Sequence, residues 1–345
     1  MGNTPTKTFW QAAARHRDNV TTVNFVPGQP LRIDLPKSGY KSMLEIKVFG
    51  TIGVTAGTVT DSDALSNWFT TIGLKSSQGG YLAQLSYRDL IDWNYRFFKA
   101  ASPFGSQRFG GINAGATSTQ NIWVSALLPI SINDGINVET GLLNTQNGRN
   151  TFTLELYCAQ QGDLVGSGST ALANFSLQVQ VNEIYYDAVD ANPDVVAPKF
   201  NAIVKTRTES HGPLPVGTFF DVPYPVNPTI IDAMVRVVEN GAAAHAHADS
   251  VKVVTNFTQQ VELRKVEDIR EENYRMLGKD LRNGLAWINY CDDGAGTNET
   301  RMRDWINSLA ATQLDFLIST TAAFNATSSR VDSLYREVVP LAVYG

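Results

Sequence analysis

The residues best suited to metal binding are two of the four histidines. In an extended segment, His245-Ala-His247 would place both imidazoles on one face, which is a spacing that metal sites use. Asp249 is the only carboxylate that the sequence suggests nearby, and two ligands do not complete a site. The alanine-rich surroundings therefore predict an exposed loop of small residues that holds no metal.

Motifs for nucleophilic catalysis and phosphate binding are incomplete. No Gly-x-Ser-x-Gly sequence occurs, so the nucleophile elbow of an α/β-hydrolase is not predicted. Gly166-Ser-Gly-Ser-Thr lacks the third glycine of a dinucleotide fingerprint. Gly278-Lys279 is followed by Asp280, where a phosphate loop needs Ser or Thr, and it lies within a predicted helix. We therefore predict no catalytic residues, no cofactor and no enzymatic activity.

The charged residues form no basic patch. Glu271 and Arg275 have the (i, i+4) spacing of an ion pair on the exposed face of a helix. The arginines of Arg301-Met-Arg are offset by Asp304. The formal net charge is −5 and the isoelectric point is about 5.4. Because coating of nucleic acid depends on Lys and Arg neutralising phosphates, neither such coating nor sequence-specific nucleic-acid binding is expected.

The composition is that of a β-rich protein with a sizeable core. Of 345 residues, 43% are hydrophobic and only 18% are charged, below the roughly 25% usual in soluble domains. No run approaches the roughly 20 apolar residues of a membrane span, and the N-terminus lacks the apolar core of a signal peptide. Cys158 and Cys291 are too few for a disulfide framework. Two buried thiols are favoured over a disulfide, in a protein made in a reducing cytoplasm.

Most of the chain is predicted to form short strands between turns of Gly, Pro, Asn and Asp. The alternation is clearest where every second residue from Phe175 to Val181 is apolar, as in a half-buried antiparallel strand. In the first half, the predicted strands are Val20–Val26, Leu31–Leu35, Ser42–Val54, Trp68–Lys75, Gln120–Pro129, Thr151–Cys158 and Ala173–Tyr186. In the second half, they are Phe200–Lys205, Thr218–Val222, Thr229–Val238, Val251–Leu263, Leu285–Tyr290, Gln313–Ser319 and Leu334–Val343.

Two amphipathic helices interrupt these strands. Apolar residues recur at helical spacing from Tyr87 to Phe98, and a second helical stretch lies near Val266–Leu281. The same order of elements occurs twice, about half a chain apart. It predicts an all-β protein of two tandem, eight-stranded antiparallel jelly rolls, each with an inserted flanking helix, plus a short N-terminal helix. Asp187–Pro198, rich in Pro and Asp, is the expected join, so the predicted domains are an arm at 1–18, a first jelly roll at 19–190 and a second at 191–345.

The N-terminal arm is basic and aromatic in a protein that is acidic overall. Thr4-Pro5 is a suitable helix start, and three basic residues and two bulky aromatic residues follow it. A basic helix with large aromatic side chains suits an anionic membrane surface. The alternative is that the arm docks on a neighbouring subunit. The predicted contact residues are Lys7, Phe9, Trp10, Arg15 and Arg17.

Several short passages occur in the order found in one known family. Phe69–Lys75 leads into the first helix, and Ile122–Ile130 is an aromatic strand that ends at a proline. Val181–Asp187 is followed by Asn192-Pro193, and an arginine-rich helix precedes Trp287-Ile-Asn-Tyr-Cys-Asp. In this order, over nearly the whole chain, the sequence resembles the double jelly-roll major capsid proteins of tectivirus-type icosahedral bacteriophages, which are tailless and contain an internal membrane.

The resemblance implies a homotrimer whose six barrels form a pseudo-hexagonal capsomer of an icosahedral virion. It implies contacts with neighbouring capsomers and other virion proteins, and a place in a capsid assembled in the bacterial host cytoplasm. In that family the N-terminal helix faces the inside of the particle, which implies contact of the arm with an internal lipid membrane. The sequence departs from that family in one respect: its predicted loops are short, and none is long enough to form a tower-like projection.

Two other functions are compatible with predicted β-sandwiches. A virion spike or carbohydrate-binding module would need an exposed aromatic platform. A cupin-type enzyme would need a cluster of His and carboxylate ligands, and no predicted strand carries one.

Overall fold

The structure is a computed structural model that describes residues 9–54, 67–78, 80–95, 118–133, 139–146, 150–164, 172–189, 194–195, 202–224, 229–239, 242–243, 247–256, 259–281, 285–290, 306–307, 313–321 and 329–340. The chain divides into two compact units, and the main division in sequence falls between Ile203 and Val204. The domain boundaries given above remain predictions.

Besides a short 3₁₀ helix (Gln161–Leu164), the described part of the first unit is built of strands and two α-helices. In chain order these are α1 (Phe9–Ala12), β1 (Arg15–Asn24), β2 (Pro30–Asp34), β3 (Tyr40–Val54), β4 (Phe69–Ser76), β5 (Gly80–Leu85), α2 (Tyr87–Tyr95), β6 (Ser118–Pro129), β7 (Ile132–Asn133), β8 (Glu139–Thr140), β9 (Leu143–Asn144), β10 (Phe152–Cys158) and β11 (Ala173–Tyr186). One four-stranded array has the order β1-β11-β3-β6, and a second has the order β5-β4-β10-β2. All neighbouring strands in both arrays are antiparallel.

The core of the first unit lies between these arrays because apolar residues alternate along the strands. Val48, Val124 and Val179 are buried on one face of the first array, whereas Trp123 and Gln178 point to the other face. The latter face is called the outer face below.

Strand β5 did not follow from the sequence pattern. Its register against β4 shifts at a β-bulge, so its buried residues do not alternate strictly. The ring of Tyr81 on β5 covers Gly73 on β4, where a Cβ atom would lie only 2.6 Å from the ring carbon Cε1. The absence of a side chain at Gly73 is therefore part of the packing.

The second unit repeats the pattern with one helix. Its elements are β12 (Ala202–His211), β13 (Phe219–Tyr224), β14 (Thr229–Glu239), β15 (Ala242–Ala243), β16 (Ala248–Thr255), β17 (Gln259–Lys265), α3 (Val266–Leu277), β18 (Ala286–Asn289), β19 (Ile306–Asn307), β20 (Leu314–Thr320) and β21 (Ser329–Pro340). Strand β14 pairs with β21, β18 and β19, and β21 lies beside β12. A separate sheet has the order β13-β20-β16-β17.

Several boundaries in the second unit differ from the prediction, and two of the differences have a local cause. Val251–Leu263 is not one strand but the hairpin of β16 and β17, with Asn256 at a positive φ of 50° where the chain turns. Helix α3 ends at Leu277 rather than Leu281, because Gly278 adopts the left-handed conformation and donates its N–H to Tyr274 O at 2.8 Å. Gly278-Lys279 therefore lies beyond the helix.

The two units have the same topology. When the eight principal strands of each described unit are numbered along the chain, strands 1, 8, 3 and 6 form one array, and strands 2, 7, 4 and 5 form the other. Helices α2 and α3 both follow the fifth strand and precede the sixth. This is the strand order of a jelly roll, so the predicted fold of two tandem jelly rolls is confirmed.

Candidate functional site

One asparagine joins each flanking helix to the strand that follows it. Asn94, the eighth residue of α2, is buried and donates through Nδ2 to Leu127 O at 2.8 Å, while its Oδ1 accepts from Leu127 N at 2.9 Å. Leu127 lies on β6, which among the described strands pairs only with β3. The Asn94 carboxamide therefore makes the two hydrogen bonds that the backbone of a further strand would make with Leu127 at this edge of the sheet.

The jelly rolls of the first and second units are called the first and second barrels below. The second barrel contains the same arrangement at the same position. Asn273, the eighth residue of α3, donates to Trp287 O at 2.7 Å and accepts from Trp287 N at 2.8 Å. Trp287 lies on β18, which among the described strands pairs only with β14. An open strand edge can pair with another chain, so each asparagine blocks that pairing at one position.

Sequence inspection missed this residue-level repeat, although a signal was present. Each asparagine follows a buried aliphatic residue by four positions, Leu90 in α2 and Ile269 in α3. A polar residue on the buried face of an amphipathic helix needs a hydrogen-bond partner, and these two asparagines bind the backbone of the next strand.

Helix α1 is anchored in the first barrel by Phe9. The Phe9 side chain is 0% exposed, and its ring centroid lies 6.0 Å from that of Tyr40 and 5.4 Å from that of Tyr186. Leu142, Val189 and Val195 complete this cluster. The prediction that Phe9 contacts a membrane or a neighbouring subunit was wrong, because a large apolar ring is stabilised by burial within its own barrel.

The other predicted arm residues are not gathered on a helix. Arg15 and Arg17 lie on β1, which begins before the predicted Val20, and both are exposed. Lys7 and the side chain of Trp10 lie outside the described residues.

Arg17 forms an ion pair with the buried carboxylate of Glu45. Burial raises the pKa of Glu45, but hydrogen bonds from Arg17 and Asn182 and the charge of Lys47 outweigh it. The pKa of Glu45 therefore lies below its ordinary value, and Arg17 stabilises the ionised form within its own barrel.

The second barrel buries ion pairs between β14 and β21. Arg336 and Asp232 are each 1% exposed, and their side chains form two hydrogen bonds of 2.8 and 2.7 Å. The indole N–H of Trp287 donates to the same carboxylate at 3.0 Å. Four residues along each strand, Arg236 pairs with Asp332 at 3.1 Å. These charged groups require their partners because burial removes them from water.

The candidate metal ligands are only partly described. His247 lies 2.6 Å from Glu239, so the prediction that Asp249 is its only nearby carboxylate was wrong: β14 brings Glu239 close in space. His245 and Cys291 lie outside the described residues. Among the residues that the structure describes, no group of three or more His, Cys, Asp or Glu side chains is placed to hold a metal ion.

Two further features concern the remaining predicted residues. Cys158 is buried, and burial raises the pKa of its thiol to about 11, which disfavours the reactive thiolate. The predicted pair of Glu271 and Arg275 is confirmed at 3.9 Å on the exposed side of α3.

No helix in the described part of the chain is long and apolar enough to cross a membrane.

A groove of about 580 Å³ opens on the outer face of the first barrel. Its lining residues are Asn24, Phe25, Val26, Phe49, Gly50, Thr51, Phe175, Ser176, Leu177 and Gln178. Trp123 on β6 lies directly opposite Phe49 on β3 and is 55% exposed. The groove therefore continues toward a large exposed aromatic ring.

Two complete jelly rolls in tandem, each with a helix after its fifth strand, define a double jelly-roll protein. Neither a protein-family profile nor a curated protein sequence matches this chain. Solved structures do match over nearly its whole length.

The structure of Sulfolobus turreted icosahedral virus aligns with a TM-score of 0.70 and 14% identity, over 94% of this chain and 90% of the matched chain. The capsid of the virus PBCV-1 aligns with a TM-score of 0.60 and 11% identity, over 94% and 93%. The major capsid protein P2 of bacteriophage PM2 aligns with a TM-score of 0.56 and 12% identity, over 95% and 98%. At these identities the likeness is one of fold, the double jelly roll of viral major capsid proteins.

Proposed function

We propose that this chain is the non-enzymatic major capsid protein of an icosahedral virus. The observation that carries the proposal is the complete double jelly roll, which aligns over nearly its full length with viral capsid proteins. The sequence resemblance supports a finer proposal. The chain would form homotrimers in the virion of a tectivirus-type bacteriophage, over an internal membrane, after assembly in the bacterial host cytoplasm.

The duplicated fold suits a trimeric capsomer for a geometric reason. Each chain supplies two barrels of the same topology, so three chains related by a threefold axis supply six similar units. A six-sided building block can have six neighbours of similar geometry while only three chains are needed. Trimer contacts of an obligate kind often bury more than about 2,000 Å², whereas contacts between capsomers are expected to be smaller.

The asparagines of the flanking helices support ordered lateral assembly. Open edge strands tend to pair with any exposed strand, which would give irregular aggregates. Asn94 and Asn273 satisfy one backbone position on each edge strand from within the chain. Contacts between subunits would then depend on side chains, which specify the partner and its register.

The N-terminal arm is proposed to contact internal lipid or a neighbouring subunit through Lys7, Trp10, Arg15 and the exposed part of Arg17. Phe9 holds the arm to the first barrel, so this proposal excludes it. Flotation with vesicles of anionic or zwitterionic lipid tests the membrane contact. Binding to anionic vesicles should weaken in Lys7→Gln/Arg15→Gln but persist in Arg275→Gln, which removes an exposed arginine from α3. Equal binding of the wild-type chain, the double variant and Arg275→Gln to anionic vesicles would refute the lipid contact.

The capsid proposal is tested by the size and shape of the purified full-length chain. Sedimentation velocity should give a trimer, and electron microscopy should show particles or sheets with hexagonal outlines. A chain that remains monomeric at micromolar concentration and shows no hexagonal particles would contradict the proposal.

A further inference from the structure

The groove on the outer face of the first barrel has the chemistry of a site for a neutral polar ligand. None of its ten described lining residues carries an ionisable side chain. Half-buried rings of Phe49 and Phe175 provide apolar surface, while Asn24 and Gln178 provide amides. Its volume of about 580 Å³ falls in the range of roughly 300–1,000 Å³ that is usual for ligand sites.

Three of the lining residues form a straight row across the sheet together with Trp123. Strand register places Asn24 opposite Gln178, Gln178 opposite Phe49, and Phe49 opposite Trp123. Three steps of about 4.8 Å between strands give this row a length of roughly 14 Å. Two amides at one end are thus followed by two aromatic rings at the other.

The amides are available to a ligand. Within the part of the chain that the structure describes, the side chains of Asn24 and Gln178 form no hydrogen bonds. Both are exposed, as is most of the Trp123 side chain. A ligand that offers hydroxyl groups to the amides and C–H faces to the rings would contact all four side chains of the row.

The shape of the groove is built into the backbone. Strand β11 has a bulge between Ala173 and Ser176, and Gly50 on β3 faces it with a φ of +134°. A Cβ atom at Gly50 would lie 2.1 Å from Ser176 O, so the two strands approach more closely than a side chain permits. Bulges often redirect side chains at binding sites, and a site on paired strands is held rigidly.

We propose that this groove, continued by Trp123, binds a neutral oligosaccharide, an activity that is separate from the proposed capsid role and does not depend on it. Sugars combine hydroxyl groups with apolar C–H faces, which matches a row of two amides followed by two rings. An anionic ligand such as a nucleic acid would find no positive charge in the groove. A second copy of the chain would cover the same aromatic ring, but well-packed protein interfaces leave few cavities of this size.

Saturation-transfer NMR with the full-length chain tests the proposal, using cellohexaose, maltohexaose, chitohexaose and laminarihexaose as probes. At least one probe should bind. Trp123→Ala should weaken that binding by at least about tenfold, equivalent to roughly 1.4 kcal/mol. Gln178→Leu, which keeps the side-chain volume but removes the amide, should also weaken it. Tyr157→Ala is the matched control because Tyr157 is another exposed aromatic residue, on β10 in the other array.

Three results would overturn the proposal. The first is that the wild-type chain binds none of the four probes. The second is that Tyr157→Ala weakens binding as much as Trp123→Ala does. The third is that Trp123→Ala lowers the sedimentation coefficient of the assembled protein while probe binding is unchanged, which would assign the ring to a contact between subunits. Since assembly and probe binding are measured separately, loss of either proposal leaves the other testable.

Discussion

The buried ion pair of Arg336 and Asp232 makes a quantitative prediction about the second barrel. Replacing Arg336 by Met keeps a long apolar side chain but removes two hydrogen bonds to a carboxylate that is 1% exposed. Asp232 then retains the indole N–H of Trp287 as a donor, which cannot neutralise its charge. Removing one partner of a buried pair usually costs about 3–5 kcal/mol, and the loss of free energy of unfolding should lie in this range.

A double variant separates the charge from the packing. In Asp232→Leu/Arg336→Met, both charges of this pair are removed together, so most of the lost stability should return. The control is Arg275→Met, which breaks an ion pair whose partners are both 70% exposed. That change should cost less than about 1 kcal/mol because water screens the pair.

Guanidinium unfolding, followed by tryptophan fluorescence and far-ultraviolet circular dichroism, measures these differences. Trp287 contacts the ion pair, so it contributes to the fluorescence change as the second barrel unfolds, together with the other five tryptophans. The reasoning fails if Arg336→Met is no less stable than Arg275→Met. It also fails if the double variant is as unstable as the single variant, because the cost would then come from lost packing.

Three further predictions concern single residues. Asn273→Ala removes two hydrogen bonds to the backbone of the buried Trp287 and should cost about 1–3 kcal/mol, with faster hydrogen exchange at the Trp287 amide. Gly73→Ala forces a Cβ atom against the covering tyrosine ring and should destabilise the first barrel by about 1–3 kcal/mol in thermal unfolding, whereas Gly162→Ala, with no atom within 4 Å, should change little. Because the pKa of Glu45 is below its ordinary 4.5, its contribution to stability is present above that pH and is lost as the pH falls through the folded-state pKa. Arg17→Gln should therefore reduce the difference in unfolding free energy between about pH 7 and about pH 3, and an unchanged difference would contradict the role of the pair.

The sequence pattern predicted the strands best where one face is buried and the other is solvated. Strand β11 was predicted with its exact bounds, because its apolar and polar residues alternate over most of its length. Prediction failed where a bulge broke the alternation, as in β5, and where two apolar strands followed each other closely, as in Val251–Leu263. In both cases the two strands pair with each other as a hairpin, and it is the register of that pairing, with its bulges, that determines which residues are buried.

The candidate sites were less predictable than the strands. Aromatic and basic residues near the N-terminus suggested a membrane contact, yet Phe9 packs against Tyr40 and Tyr186, which the sequence places far away. Trp123 was part of a predicted strand, but its position beside Phe49 and the groove depends on the register of β3 against β6.

Residue patterns along the chain were sufficient to predict the fold class, since the period of apolar residues is a local property and the order of strands and helices follows from it. They specified two jelly rolls with a helix in each. Folding determined which charges are buried together, which asparagine covers an open edge and where an amide row meets an aromatic ring. Those features depend on contacts between residues far apart in sequence, such as Asp232 and Arg336, and strand register in three dimensions brings them together.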